Sequence, residues 1–376
     1  MYPPARIGMA ILMVLLVLLS DKVLGGAETA VVDIVEEAQE GSATSSSKGN
    51  FVAVPIPFSN PTIGTGVNAA LLYLHSKRPG DDRSPNATSG LGVMYSDTDS
   101  WGAGVFHDDA WGNDRFRFTG FAGYGEFNLK YYGVGDNPIL ARNPIDYGFK
   151  ISVIAPQFQV RIPGTDHWFA GIHYLYLDSD SVFQLSEFLP WLPEIRGRIR
   201  TAGIGPAASY DSRDNKYYPT RGQNAQIKWT DYAQQWGGDF DYRKLLMFVN
   251  HYQPVGNSTV VALRARTETV SGSAPFFDLP YLDMRGFARG RYRDDLTLSL
   301  HTEVRHKFLP RWGAVAFVEA GWFGDDLHDI TSNKTILSYG GGIRWQLTEE
   351  QPLNIGLDLA VSSDDYTVLV QVGEKF

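Results

Sequence analysis

From about residue 51 onward, apolar residues recur at every second position, and turn-forming residues break the alternation every 10 to 25 positions. In 296–308, Leu296, Leu298, Leu300, Val304 and Phe308 share one parity, while Ser299, His301, Glu303, Arg305 and Lys307 share the other. The same division runs through 353–363, where Ile355, Leu357, Leu359 and Val361 oppose Asn354, Asp358 and Ser362. In 336–347, Leu337, Tyr339, Ile343, Trp345 and Leu347 oppose Gly340, Gly342, Arg344 and Gln346. Successive side chains of a strand point to opposite faces, so period two predicts strands with one face suited to lipid and the other to a wet lumen. A soluble sandwich would show the same alternation, and strand length separates the two. These segments run 11 to 15 residues, against about 5–6 for globular strands and ~9–11 for a tilted membrane strand.

The pattern predicts strands at 65–75, 89–96, 101–109, 114–124, 126–133, 146–162, 167–179, 198–211, 222–232, 239–250, 257–270, 294–308, 312–322, 335–347, 353–363 and 366–375. That makes an all-β, transmembrane antiparallel barrel of sixteen strands, with the 90–180 region divisible into one hairpin more or fewer. With a periplasmic N-terminus, the long connections 76–88, 134–145, 180–197, 271–292 and 323–334 face outside, and tight turns such as 163–166 and 309–311 face the periplasm.

The first 27 residues fit a cleaved signal peptide: Arg6, an uncharged apolar run Ile7–Leu19, then Gly25-Gly26-Ala27. The run is too short for a spanning helix, which needs ~20 apolar residues. Residues 28–50 are acidic and then Ser-rich, which predicts a disordered polar linker. The barrel is expected over 51–376, integral to the outer membrane of a bacterium with two membranes. There is no cysteine, so an exported chain of this kind must be stabilised by something other than disulfides, and a closed hydrogen-bonded barrel is one adequate source. A net charge of −9 argues against a nucleic-acid partner. The chain closes on VLVQVGEKF, where Tyr366, Val368, Val370, Val372 and Phe376 share a parity. Gly373 and Phe376 are expected to serve as a C-terminal signal for the barrel-assembly machinery.

Several motifs in register carry a resemblance. Asp211-Ser-Arg-Asp-Asn215 followed by Pro219-Thr-Arg-Gly222, then Met284-Arg-Gly-Phe287, Phe317-Val-Glu-Ala-Gly321 and Val-Gly-Glu-Lys-Phe376 occur in order. Pro55-Ile-Pro-Phe-Ser-Asn-Pro61 and Gly64-Thr-Gly66 precede them. Together they resemble the BamA/TamA-like bacterial surface antigen superfamily of outer-membrane β-barrels over roughly 51–376. The resemblance implies that Arg285, Gly286 and Phe287 lie on a loop between strands eleven and twelve that folds into the lumen and docks on acidic wall residues. Arg285 offers a five-donor fork, Gly286 a tight turn and Phe287 an apolar contact. Glu303 and Glu319 fall on the lumen parity and are the candidate docking partners, Glu319 standing where the family more often has Asp. Asp211, Arg213, Asp214, Pro219 and Gly222 form the family's turn motif. Relatives that fold or secrete proteins carry periplasmic POTRA domains, for which 28–50 is too short, so a short member served by a separate periplasmic partner is expected. The resemblance also implies a weak first-to-last seam, 65–75 against 366–375, that opens laterally.

Other motifs carry less. Gly64-Thr-Gly-Val-Asn-Ala69 and Gly203-Ile-Gly-Pro-Ala-Ala208 match a GxGxxA loop outside any strand-turn-helix context and are expected to be strand glycines. GxSxG and HExxH do not occur, and His301 and His306 face opposite sides of one strand, so neither a catalytic nor a metal or cofactor site is expected. The lumen-parity charges Arg264, Arg266, Glu268, Glu303, Arg305, Arg344 and Asp358 either line a conduction path or pair with one another. The leading expectation is a non-enzymatic barrel in outer-membrane lipid that helps insert or translocate unfolded outer-membrane or secreted polypeptides. A passive or gated pore and a structural or surface-binding barrel remain open.

Overall fold

The computed structural model describes residues 50–135, 140, 142–183, 195–215, 218–332, 334–346, 354–362 and 366–376. The expected signal peptide 1–27 and nearly all of the expected linker 28–50 lie outside the described residues. Sixteen antiparallel strands close into a ring in chain order, β16 returning to β1. They are β1 Asn50–Asn60, β2 Gly64–Leu74, β3 Thr88–Ser96, β4 Trp101–Trp111, β5 Phe116–Tyr131, β6 Ile145–Arg161, β7 Trp168–Phe183 and β8 Ile195–Asp211. The second half comprises β9 Gly222–Tyr232, β10 Tyr242–Val255, β11 Thr259–Gly272, β12 Leu296–Leu309, β13 Trp312–Gly324, β14 Ile336–Gln346, β15 Asn354–Ser362 and β16 Tyr366–Val372. No helix among the described residues is long and apolar enough to cross a membrane, which leaves the strands as the spanning elements.

The total of sixteen agrees with expectation through two compensating differences. Asn50–Asn60 is a strand of its own, where the alternation is obscured by Pro55 and Pro57, and Phe116–Tyr131 is one continuous strand, not two. Between them strand parity is displaced by one, so the 75–87 connection lies at the short-turn end of the barrel and not with the long loops. From β6 onward the expected sides hold.

Parity separates the two faces sharply in β12: Leu300 is 46% and Phe308 51% exposed, while Glu303 and Arg305 are 0% and 1%. Leu91, Val105, Ile154, Val249, Val318 and Leu357 continue the exposed apolar wall around the ring. So extensive an apolar surface is untenable in water and matches a lipid-facing belt. The lumen is not uniformly polar. Within β5 to β7 the inward residues Phe127, Tyr147, Phe149, Leu175 and Leu177 form an apolar cluster with Phe277. Both faces of these strands are therefore apolar, which is why their alternation is faint. The glycines of both GxGxxA matches sit in strands β2 and β8, as expected.

Candidate functional site: plug and seam

The connection 273–295 between β11 and β12 folds into the lumen. A single 3-10 turn at Phe276–Asp278 anchors its first part. Asp278 takes a hydrogen bond from Tyr242 Oη at 2.5 Å and an ion pair from Lys244 at 2.8 Å, and Lys244 also reaches Glu268 at 2.8 Å. Arg285 follows at the turn and is 2% exposed. Its guanidinium pairs with Glu303 on β12, its backbone N–H donates to Glu319 on β13 at 2.6 Å, and Nε lies 3.7 Å from Asp358 on β15. The cation also stands 4.0 Å over the Phe317 ring, a favourable position in a desolvated site.

Gly286 adopts φ +86°, and an added Cβ would lie 3.3–3.4 Å from Ser362, Ala360 and Ser338, so backbone conformation and space both favour glycine. Phe287 packs with Leu282, Met284, Tyr292, Phe323 and Ile336. On β13, a Cβ at Gly321 would come within 2.6 Å of Met284 Sδ. The wall motif thus supplies both an acid, Glu319, and a hollow, Gly321, to receive the loop.

The ionic network extends beyond the expected pair. Arg305 bonds Glu303 at 2.6 Å, Arg344 forks onto Asp358, and His301 Nδ1 lies 3.3 Å from Glu319. Asp358 pairs within the lumen as one of the two alternatives for the lumen-parity charges, and Glu374 enters the network from inside the closing Val-Gly-Glu-Lys-Phe376 motif. Glu374 joins the network because β16 stops at Val372 and Gly373, at φ +77°, turns the chain inward. Its carboxylate meets Arg344 Nε at 2.9 Å and Asn354 at 2.7 Å, and Lys375 pairs with Asp283 of the plug at 2.9 Å. Phe376 is consequently carried off the lipid-facing parity of β16. It is buried with Tyr252, Val260 and Ala262, and its carbonyl accepts from Arg305 at 2.6 Å.

The turn motif closes on itself at the short-turn end. Arg213 forks onto Asp211 at 3.0 and 2.8 Å, Asp214 accepts from the N–H groups of Thr220 at 2.9 Å and Arg221 at 3.2 Å, Pro219 is buried and Gly222 opens β9. It stands apart from Arg285, though Tyr218 of the same turn lies 5.9 Å beneath Arg305.

The seam falls between β1 and β16, not between 65–75 and the last strand, because β1 precedes that segment. Its register places Ser59 opposite Val370; continued along the strands, that register would bring Val372 to Pro57, and Gly373 turns the chain inward before Pro55 is reached. The prolines matter for a second reason. In β6, Pro156 coincides with a gap in the pairing to β7, between Ile154↔Tyr176 and Gln157↔His173, while its pairing to β5 is unbroken. In β1, pairing to β2 is unbroken through Pro55↔Ala69 and Pro57↔Val67. The donors these prolines lack are therefore missing from the other edge, the one facing β16.

A closed, lipid-facing barrel whose lumen holds an inward loop on an Arg–acid cluster defines a plugged outer-membrane barrel. The Omp85 superfamily domain matches residues 147–366, more than half of the chain, and the protein belongs to that superfamily. This membership and the barrel indicate the bacterial outer membrane. No curated protein matches in sequence. Among solved structures, BamA from Haemophilus ducreyi lacking POTRA domains 1-3 is similar with a TM-score of 0.57 at 13% identity, over 87% of this chain and 70% of that one. CdiB from Acinetobacter baumannii gives 0.57 at 10% identity over 87% and 60%, and CdiB from Escherichia coli 0.58 at 12% over 86% and 62%. At these identities the likeness is one of fold.

Proposed function

We propose that this barrel inserts or translocates polypeptides of the bacterial envelope, using the β1–β16 seam as a lateral exit and 273–295 as the lumen plug. The short-turn end, where β1 begins and β16 ends, is then periplasmic. The observation that carries the reading is the edge of β1: an antiparallel strand whose outer edge lacks two donors and whose neighbour turns away at Gly373. A seam short of two hydrogen bonds parts more readily than its neighbours, and the donors that remain on that edge, at residues 51, 53 and 59, can then pair with an incoming strand by β-augmentation. The plug, tied to β10, β12, β13 and β15, argues against a permanently open pore. Its clients are unfolded outer-membrane or secreted polypeptides, delivered by a separate periplasmic partner.

A photo-crosslinking residue placed at positions 51, 53 or 55 tests this in cells. The expected products are adducts with nascent barrels or secreted chains, absent when the same residue is placed on the outer face of β11. Equal labelling at both places would refute the reading. A Ser59→Cys/Val370→Cys pair supplies the complementary arm: directly opposed residues lie within disulfide reach, and the oxidised seam should lose at least tenfold in client handling, restored by reductant.

A further inference from the structure

The connection 75–87 does not hang free at the short-turn end. Asp81 accepts from the backbone of Ser84 at 2.9 Å and of Asn113 at 3.2 Å, Ser84 Oγ accepts from Asp114 N at 2.6 Å, and Arg83 pairs with Asp166 at 2.8 Å. The segment is thereby strapped across the turns that join β4 to β5 and β6 to β7. Between the strap and the barrel wall lies a cavity of about 280 Å³, lined among others by His75, Lys77, Arg78, His107 and Asp109. That is close to the lower end of ligand sites, roughly 300–1,000 Å³.

One wall of the cavity, formed by His75, His107 and Asp109, lies on the lipid side of the barrel. Ser89, His107 and Asp109 share the parity that exposes Leu91 at 46% and Val105 at 51%. His75 Nε2 and His107 Nδ1 both bond Ser89 Oγ, at 2.9 and 2.8 Å. The two imidazoles stand in a row of rings, with Tyr73 4.7 Å from His75 and Phe118 6.3 Å from His107. A ring row at a strand end is the aromatic girdle that marks headgroup depth. Two histidines and a charged cavity interrupt it here.

We propose that this cavity binds the headgroup of a zwitterionic phospholipid, phosphatidylethanolamine, from the leaflet at the short-turn end. Charge selects the zwitterion. Lys77 and Arg78 are balanced by Asp81 and Asp109, so the lysine, arginine and carboxylate groups of the lining sum to no net charge that would favour an anionic lipid. Position selects a lipid over a soluble phosphate ester, because His107 and Asp109, which line the cavity, continue along β4 the lipid-facing parity of the exposed Val105, where acyl chains would lie. Arg78 and Lys77 supply donors for the phosphate. Arg78 currently forks onto Asp109 at 2.7 and 2.5 Å, and turning it to the phosphate frees Asp109 for the ammonium. The proposal requires only that the barrel spans a bilayer and stands independently of client handling.

Native mass spectrometry of the full-length barrel in detergent, titrated with dioleoylphosphatidylethanolamine or dioleoylphosphatidylglycerol, tests it. One phosphatidylethanolamine should be retained on the wild type, at least tenfold less on Lys77→Ala/Arg78→Ala. His107→Phe, which keeps the ring row, should also weaken retention, and Asp109→Asn should shift the preference toward phosphatidylglycerol. Equal retention by wild type, Lys77→Ala/Arg78→Ala and His107→Phe, a wild-type preference for phosphatidylglycerol, or displacement of the lipid by micromolar O-phosphoethanolamine would each overturn the proposal. Heat-modifiable migration on gels establishes that each variant is folded.

Discussion

The wall from β12 to β15 and the seam between β1 and β16 close the same ring by opposite means. In the wall, long strands pair over many residues, Arg285, Arg305 and Arg344 face Glu303, Glu319, Asp358 and Glu374, and the plug fills the space inside. At the seam, a seven-residue strand meets an edge from which two donors are missing. A barrel that needed only to be stable would lock both. The contrast concentrates interactions on one side of the ring, as the proposed lateral exit at the seam requires.

The largest test of this contrast is Arg285→Ala. Removing one partner of a buried ion pair costs about 3–5 kcal/mol because the other charge is left uncompensated, and here three carboxylates surround the position. The plug should leave the wall, and planar-bilayer recordings should acquire large conductance steps that the wild type lacks. A wild type that already conducts steadily, unchanged by Arg285→Ala, would contradict the plugged lumen.

A middle-sized effect is expected from restoring the seam. Pro57→Val returns one donor opposite Val372, worth about 0.5–1.5 kcal/mol if the bond forms. Amide exchange of β16 should slow while that of β12 to β15 stays unchanged. Unchanged exchange in β16 would mean that the missing donor faces β2 instead.

The smallest concerns the plug's exit into β12. The Asp294 carboxyl is pushed up to about 6, first by burial and then by Asp325 beside it. With the folded value raised, the folded chain holds a proton that the unfolded chain releases. This contribution is complete below the ordinary carboxyl range near pH 3.8 and fades as pH rises through about 6. Asp294→Asn should therefore raise the thermal midpoint at pH 7.5 and leave it nearly unchanged at pH 4. The opposite ranking would place the charged form as the favoured one.

What could be foreseen followed the same contrast. The strands of the locked wall alternate cleanly, since one face meets lipid and the other a charged network, and the plug brings Arg285 against Glu303 and Glu319. Asp358 carried the right parity but nothing in its spacing tied it to Arg285, because the connection runs through the fold of the plug. Glu374 was hidden behind Gly373, whose turn takes the last residues out of strand periodicity. The first strand was missed for the reason that makes it distinctive: Pro55 and Pro57 punctuate it as they would a loop. In β5 to β7, aromatic residues on the lumen face erased the alternation and allowed one long strand to be divided.

The plug also favours an order of assembly. Residues 273–295 are held by β10, β12, β13 and β15, all from the C-terminal half, so they can dock before the ring closes. Docking of Arg285 on Glu303 spans only 18 positions of chain, whereas joining Ser59 to Val370 spans nearly all of the barrel. Short loops close at lower entropic cost and sooner than long ones. The C-terminal half should thus fold around its own plug first, and the proline-edged first strand arrives last, as a clasp fastened on a vessel already filled.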